Sequence, residues 1–221
     1  MSEKKPDYLE NFWKMRFKAL KETLSNNNFK VYIAQDSNEV KDIFYKDIIS
    51  QIKPRSISWG GSMTFVSTGL YHELRDSTEY EVLDTYDKGI SKEAMLERRR
   101  QSLLVDLYIT STNAVTEDGQ LVNLDMIGNR IGGLTFGPKH VVVLVGRNKI
   151  VTDLEDAMVR IKDYAAPTNV LRLSKKTPCS KTSFCDDCNS DDRICNTWAI
   201  TEKSFPKDRI KIILINKDLG L

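Results

Sequence analysis

Four cysteines in one short polar segment are the residues whose type and spacing most clearly suggest chemistry. Cys179, Cys185, Cys188 and Cys195 follow the spacing Cys-x5-Cys-x2-Cys-x6-Cys. A disulfide framework normally spreads its cysteines along the chain to close loops, and thiols in a cytoplasmic protein stay reduced. Four thiols crowded into residues 179–195 are more typical of ligands for one metal ion or cluster.

The spacing does not decide which metal these thiols would bind. A zinc ribbon usually contains a second Cys-x2-Cys pair, and a ferredoxin run has tighter spacing and a proline after its last cysteine. Neither feature is present, and the segment contains no histidine. Tetrahedral Zn²⁺ and a [4Fe–4S] cluster are both hypotheses for this segment, and free or mutually oxidised thiols are the third.

A glycine pair after a predicted strand at residues 56–59 is the second candidate for chemistry. Gly60 and Gly61 are followed by Ser62 and Thr64 at the start of a predicted helix. Glycine lets the backbone approach a ligand closely, and the N–H groups of a helix start attract anions. The alternative is a tight strand-to-helix turn in which Ser62 only caps the helix.

Polar side chains also concentrate in residues 110–116 and 123–130, and residues 146–149 at the end of the next predicted strand can join them. Together they can orient a small polar ligand, with Arg130 forked onto a carboxylate or phosphate and Lys149 as a second cation. The alternative is loop architecture, in which Asn and Asp bond to their own backbone and Arg130 pairs with a neighbouring acid. The candidate ligand-binding residues here are Asn113, Thr116, Asn123, Asp125, Asn129, Arg130, Asn148 and Lys149.

No familiar catalytic constellation accompanies these residues, so the catalytic residues are left unassigned. The two histidines are His72, predicted in mid-helix, and His140, predicted at the start of a core strand. Each position is more typical of a structural or surface residue than of a general base. The sequence also lacks a nucleophile elbow, a Walker loop and a G-x-G-x-x-G motif.

Composition excludes several classes of function. The 221 residues include 33 Lys plus Arg and 31 Asp plus Glu, and this balance does not suit a nucleic-acid binder. The longest apolar run, residues 141–145, is too short to span a bilayer. Residues 1–7 are charged and do not resemble a secretory signal. We therefore predict a cytoplasmic protein with no nucleic-acid partner and no membrane span.

The elements that must position these residues alternate between helices and strands. An apolar stripe from Leu9 and Phe12 onward predicts a helix over residues 7–25, and its aromatic content would also suit contact with a second copy of the chain. The all-apolar run 141–145 is typical of a central parallel strand buried on both faces. The order predicts an α/β fold, an open and mostly parallel sheet with helices on both faces.

The remaining features of the chain fit within one domain spanning residues 1–221. A β-hairpin is predicted near residues 113–125, and the cysteines occupy an insertion near 179–195. One helix is expected over residues 62–75. Another should begin at a capping box of Thr152 and Glu155 and end near Pro167, and a late strand should cover residues 195–200.

Several motifs in the same order resemble the lactate-utilization (LUD) domain family, of which lactate utilization protein C is a simple member. The resemblance covers about residues 5–220, so the chain is identified as a member of this family from its sequence. The matching motifs are residues 59–64 (Trp-Gly-Gly-Ser-Met-Thr), 112–119, 123–125, 128–130, 136–138, 146–149 and 165–169.

This resemblance implies a fold similar to that of glucosamine-6-phosphate deaminase, ribose-5-phosphate isomerase and CoA-transferases. In those relatives the loop corresponding to residues 60–64 holds a phosphate or the reacting ligand. Some lactate-utilization operons encode three proteins that oxidise L-lactate to pyruvate, and iron–sulfur centres in partner proteins carry the electrons. The resemblance therefore implies a bacterial or archaeal component of lactate metabolism, although a shared fold does not transfer a reaction.

Three hypotheses about function follow. The leading one is an accessory redox component of L-lactate oxidation, which binds lactate, pyruvate or another small anion and holds an iron–sulfur cluster at the cysteines. The second is an isomerase-, transferase- or ligase-like enzyme acting on a phosphorylated or CoA-linked substrate, with zinc as a structural staple. The third is a non-catalytic ligand-binding or assembly subunit, suggested by the missing acid–base pair.

Overall fold

The computed structural model describes residues 8–221, and residues 1–7, which carry the prediction about a secretory signal, lie outside them. The α-helices are α1 Tyr8–Asn26, α2 Ser37–Asp42, α3 Ser50–Ile52, α4 Met63–Ser67, α5 Leu70–Arg75, α6 Lys92–Gln101, α7 Asn129–Thr135, α8 Leu154–Arg160, α9 Ala166–Arg172 and α10 Cys179–Thr182. The strands are β1 Lys30–Ala34, β2 Ser56–Trp59, β3 Glu81–Leu83, β4 Leu107–Ser111, β5 Ala114–Thr116, β6 Leu121–Asp125, β7 His140–Gly146, β8 Ile150–Val151, β9 Thr197–Thr201 and β10 Ile210–Ile215. The π-helical segments Ile43–Ile49 and Ile161–Ala165 join α2 to α3 and α8 to α9, and 3₁₀ turns cover Ser102–Leu104 and Arg147–Lys149. Within residues 8–221, no helix has both the length and the apolar character needed to cross a membrane.

A six-stranded parallel sheet forms the centre of the fold. Its strand order is β1-β10-β7-β4-β2-β3, and every neighbouring pair runs parallel. Strand β7 contains the apolar run 141–145, in which every side chain is fully buried. Successive side chains of a strand point to opposite faces, so an unbroken apolar run is required when both faces are covered.

Helices cover both faces of this sheet, which confirms the predicted α/β fold. On one face, Val143 packs in a core cluster with Leu20 and Leu24 of α1. On the other face, Val142 packs in a second cluster with Phe44, which lies in the π segment after α2. The alternation of β7 side chains therefore divides the apolar interior into two layers.

Only the C-terminal half of α1 reaches the core. Leu20 and Leu24 are buried there, whereas Leu9 and Phe12, which the apolar stripe placed on the same face, are 59% and 45% exposed. The periodicity predicted the helix correctly but overestimated its burial. Helical spacing reports which residues share a face and does not report how far that face is covered.

A second, four-stranded sheet contains the predicted hairpin. Strands β5 and β6 pair antiparallel, and their turn includes Gly119 at a φ of +83°, in the left-handed region that favours glycine. Strand β8 lies beside β5, and β9 lies antiparallel beside β6. One face packs Ala114 and Val122 against Ala157 of α8. The end of β6 at Asp125 is thereby held against the rest of the molecule.

Four predicted boundaries differ from the structure. The helix expected over residues 62–75 is broken at Gly69, whose φ is +80°. Asp153 caps α8 in place of Thr152, because its side chain accepts a hydrogen bond from the first turn. Pro167 does not end the helix: it lies in the first turn of α9, where a missing N–H is tolerated. The late strand begins at Thr197, after the last cysteine.

Candidate functional site

A polar cavity of about 280 Å³ lies beyond the carboxyl ends of β2, β4 and β7. Ligands of open parallel sheets commonly bind at this edge, because the loops that leave neighbouring strands converge there. Several residues that the sequence singled out meet in this cavity, although they come from distant segments. They are Gly61, Ser62, Asn113, Asp125, Asn129, Arg130 and Lys149.

The two glycines of the first loop have different roles. A Cβ atom on Gly60 would lie 2.6 Å from the Tyr108 hydroxyl, so this glycine is required by packing. A Cβ atom on Gly61 would meet nothing within 4 Å, and Gly61 lines the cavity. Gly61 therefore exposes backbone to a ligand, whereas Gly60 and Thr64 lie outside the cavity lining.

Ser62 has the capping role that was the alternative for this segment. Its Oγ accepts a hydrogen bond from Phe65 N at 3.0 Å. Its own N–H donates to the Tyr86 hydroxyl at 2.7 Å, and that hydroxyl donates to Gly60 O at 2.7 Å. Burial raises the pKa of Tyr86 to about 12, so the hydroxyl stays protonated at neutral pH. Tyr86 closes the loop and lines the cavity beside it.

Arg130 is held by an internal ion pair, as the loop-architecture alternative proposed. Its Nε donates to Asp125 Oδ1 at 2.9 Å, and its Nη2 donates to Asn113 Oδ1 at 2.6 Å. Asp125 Oδ2 also accepts from Ile131 N at 3.1 Å. The ion pair connects β6, α7 and the loop after β4. It therefore stabilises the cavity wall and leaves few N–H groups of Arg130 for a ligand.

Positive charge dominates the cavity. Arg130 and Lys175 each pair with a carboxylate, of Asp125 and Asp192. The other two guanidinium groups have no such partner: Arg172 donates to the amide oxygen of Asn169, and the Arg99 side chain makes no hydrogen bond or ion pair within residues 8–221. The lining cations are Arg99, Arg130, Arg172 and Lys175, against the single side-chain carboxylate of Asp125, and the lining also includes the basic residue Lys149.

Lys149 lies in the cavity wall and is only 4% exposed. Its Nζ donates to Ser111 Oγ at 2.9 Å and to Thr112 O at 3.2 Å. Burial lowers the pKa of Lys149 well below its usual range, and the positive charges of Arg160 and Arg130 add to that effect. This environment favours a neutral amine over the second cation that the sequence suggested.

Three further predicted residues lie away from this cavity, in addition to Gly60 and Thr64. Asn148 bonds to the C-terminal segment, accepting from Leu219 N at 3.1 Å. Thr116 closes the hairpin turn, since its Oγ1 accepts from Gln120 N at 3.1 Å. The amide of Asn123 is fully buried and has no hydrogen-bond partner among the described residues. Asn123 shares a face of β6 with the core residue Leu121, because side chains two apart point the same way.

The four cysteines line a second, much smaller cavity of about 20 Å³. All are free thiols, and Cys179 is buried against Val170 and Ile194. In the part of the chain that the structure describes, no three His, Cys, Asp or Glu side chains are already arranged as a metal site. The segment thus brings the thiols around one space but leaves them short of a coordination geometry.

Two cations flank the cysteines and organise their loop. Lys162 Nζ lies 2.6 Å from Asp187 Oδ1, and Arg193 Nη2 lies 2.9 Å from the same atom. Arg193 also donates to the carbonyl oxygens of Cys188 and Cys195. Burial raises the pKa of the Cys195 thiol, and Lys162 and Arg193 oppose that effect. The pKa of Cys195 remains raised overall, so the two cations offset only part of the effect of burial.

A comparison with protein families decides the assignment that the sequence motifs suggested. The model of the LUD domain matches residues 17–215. The chain belongs to the LUD domain family. Among solved structures, a DUF162 family protein from Deinococcus radiodurans is similar, with a TM-score of 0.51 and 12% sequence identity over 92% of this chain and 98% of that one. At that identity the likeness supports the fold alone, and no curated protein matches the chain.

The two cavities of this LUD domain share a wall. Ile194, next to the last cysteine, lines both of them. Asn196, which directly follows Cys195, donates from its N–H to Asp125 O at 3.1 Å and from its side chain to Met126 O at 3.0 Å. The cysteine segment is therefore attached directly to the loop that carries the Asp125–Arg130 pair.

Sequence reasoning missed part of the cavity lining in this LUD domain. Arg99 belongs to the run 97–100, which is typical of a solvated helix face. Arg172 lies beyond Pro167, where the helix was expected to have ended. A signal did exist for Asn169, because it closes the family motif 165–169. The missed polar residues are Thr85, Tyr86, Arg99, Ser111, Asn169, Arg172 and Lys175.

Proposed function

We propose that this protein is a lactate-utilization component that binds a small organic anion in the cavity at the sheet edge. The observation that carries the proposal is the excess of positive charge there. Arg99 and Arg172 line the cavity and have no carboxylate partner within the described residues. A guanidinium group matches the two oxygens of a carboxylate or phosphate, so a ligand anion would complete the site.

Lactate and pyruvate are the first ligands to consider, because the family as a whole is associated with lactate utilization. Either would place its carboxylate on a guanidinium group. The hydroxyl of Tyr86 and the amide of Asn169 lie in the same cavity and can bond to the oxygen on the second carbon. Iron–sulfur centres in partner proteins would then carry the electrons released when lactate is oxidised.

A phosphorylated or CoA-linked substrate is the second candidate. The cavity volume of about 280 Å³ is close to the lower limit of sites for larger ligands and exceeds what lactate alone would fill. Two unpaired guanidinium groups also suit the double charge of a phosphate. In this case the protein would be an isomerase- or transferase-like enzyme.

The four thiols are proposed to hold a metal. Four cysteine sulfurs are a complete ligand set for Zn²⁺ or for a [4Fe–4S] cluster, and Lys162 and Arg193 would offset the negative charge of the thiolates. The thiols enclose only about 20 Å³, so a single Zn²⁺ ion would require less rearrangement of the loop than a four-iron cluster. Zinc would fix the wall that the cysteine segment supplies, whereas a cluster would make the protein an electron carrier in lactate oxidation.

Calorimetric titration of the protein with lactate, pyruvate, ribose 5-phosphate and CoA tests the binding proposal. Arg99→Ala and Arg172→Ala should each weaken the tightest of these ligands by about 10-fold or more, since a bond to a charged group contributes about 1.5–3 kcal/mol. Arg100→Ala is the matched control, because Arg100 pairs with Glu97 on the same helix and does not line the cavity. Equal affinity in all the variants, or no binding to the unaltered protein, would reject the proposal.

A further inference from the structure

Lys149 combines burial, isolation from carboxylates and access to the cavity. It is 4% exposed, lines the anion cavity and forms no ion pair within residues 8–221. Its Nζ is held by two oxygen acceptors, Ser111 Oγ and Thr112 O. A charged ammonium group buried in this way is normally neutralised by a carboxylate, and none is supplied here.

The charged groups that act most strongly on Lys149 are Arg160 and Arg130, and both are positive. Arg130 forms its ion pair with Asp125. Arg160 donates hydrogen bonds to the carbonyl oxygens of Asn148 at 2.9 Å and Asn113 at 2.7 Å. Burial and these two neighbours lower the pKa of Lys149, which favours the neutral amine and its free lone pair. A lysine desolvated next to other cations is the usual way in which a protein makes an amine nucleophilic.

One hydroxyl group contacts the amine, and a second hydroxyl lies next to the first. Ser111 Oγ lies 2.9 Å from Lys149 Nζ and 3.4 Å from Thr64 Oγ1. Each hydroxyl also donates to a carbonyl oxygen, Ser111 Oγ to Thr112 O at 3.2 Å and Thr64 Oγ1 to Leu219 O at 3.1 Å. A hydroxyl can rotate between partners, so Ser111 can pass a proton between the nitrogen and an oxygen atom bound beside it. This gives Thr64, which is outside the cavity lining, a place in the same cluster.

We propose that Lys149 is a nucleophile that forms an imine with the carbonyl carbon of a 2-oxo acid, such as pyruvate, held in the anion cavity. The nitrogen lone pair attacks the second carbon of the acid and forms a carbinolamine. The former carbonyl oxygen then leaves as water with both hydrogens of the amine, and a C=N bond remains. Nothing is oxidised or reduced, and the step is reversible by water.

This inference rests on the proposed function and narrows its ligand class. A 2-hydroxy acid such as lactate has no carbonyl carbon and cannot form the imine, although it can still bind through its carboxylate. The protein would therefore bind pyruvate, the oxidised acid, more strongly than lactate, the reduced acid. The guanidinium groups would recognise the carboxylate that both ligands share, and Lys149 would supply the discrimination.

Trapping with sodium cyanoborohydride tests this step on the full chain. The protein is incubated with pyruvate or lactate and the reductant, and intact mass and peptide mapping locate any adduct. We expect one reduced pyruvyl group on Lys149, none with lactate, and none in Lys149→Met. Lys176→Met is the control, since Lys176 is exposed and lies outside the cavity lining, and it should be modified like the unaltered protein.

Calorimetry run beside the trapping separates the two claims. If pyruvate binds but the Lys149 peptide stays unmodified, or if label spreads over surface lysines, the imine is rejected and anion binding stands. If neither pyruvate nor any other anion binds, both claims fall. Peptide mapping of the unaltered protein decides the site of modification even where Lys149→Met does not fold.

Discussion

The anion cavity and the cysteine cavity share a wall but are built in different ways. The first is bounded by the ends of strands and by the Asp125–Arg130 pair, and its volume of about 280 Å³ is open before any ligand arrives. The second is formed by a segment with one short helix, Cys179–Thr182, and has only about 20 Å³. Its thiols surround a space without reaching coordination geometry.

This contrast separates two kinds of binding. A cavity held by strand ends needs little ordering when a ligand enters, so its affinity depends on the charges already in place. A loop whose ligands must be drawn together couples metal binding to its own folding. We therefore expect the anion cavity to have the same shape before and after its ligand binds. The cysteine segment should instead become ordered when it binds a metal.

The largest effect is expected at the metal. Protein purified without oxygen should contain one zinc per chain, and Cys188→Ser should bind it much more weakly, because only three of the four thiolates remain and water must take the fourth position. Metal and sulfide analysis with an absorption spectrum measures this, and Asn189→Ala, an exposed neighbour, is the control. Brown protein that contains iron and sulfide would show that the thiols hold an iron–sulfur cluster and not zinc. Metal-free protein would reject the metal site.

Removing one partner of the buried ion pair should have the next largest effect. Arg130→Met leaves Asp125 buried and unpaired, and we expect the free energy of unfolding to fall by about 3–5 kcal/mol. Lys162→Met breaks the exposed pair with Asp187 in the cysteine segment and should cost less than about 1 kcal/mol in metal-free protein. Urea unfolding measures both changes in the free energy of unfolding. Equal losses of stability in the two variants would contradict the difference between a rigid cavity wall and an adaptable cysteine loop.

Stability should rise with pH because of Lys149. Its pKa is lowered in the folded protein, so between that value and about 10.4 the unfolded chain binds one proton more than the folded one. The free energy of unfolding should then increase by up to about 1.4 kcal/mol per pH unit from this residue. Urea titrations between neutral pH and about pH 9 should show a shallower slope for Lys149→Met than for Lys176→Met. Identical slopes would mean that Lys149 is charged in the folded state.

The smallest expected effect is at Asn123, behind the anion cavity. Its buried amide has no partner among the described residues, so Asn123→Leu should raise the free energy of unfolding by about 1 kcal/mol. The reference is Asn148→Leu, which removes bonds to the C-terminal segment and should be destabilising. A loss of stability in Asn123→Leu would show that the amide has a partner, such as a buried water.

Much of the fold was predictable because local patterns carry it. The run 141–145 predicted a strand buried on both faces, and the turn at Gly119 predicted the hairpin. The errors fall where two local rules compete. Pro167 was taken as a helix end, but proline also fits a first helical turn, and the sequence does not distinguish the two positions.

The candidate site was predictable only in part, and the reason is distance along the chain. Gly61, Asn113 and Arg130 follow strands, so their meeting at one sheet edge could be inferred from the order of elements. Arg99 and Arg172 come from helices, and only the packing of those helices directs them to the cavity. The burial of Lys149 was equally invisible, since nothing in its sequence neighbourhood predicts the loss of a counter-ion.

A crystal structure of the protein with its tightest-binding anion tests the central claim most directly. We expect the anionic group to lie between Arg99 and Arg172 in the cavity at the sheet edge. With pyruvate, the density of the second carbon should be continuous with Lys149 Nζ. An anion bound elsewhere, with the cavity filled only by water, would contradict the assignment of this cavity as the functional site.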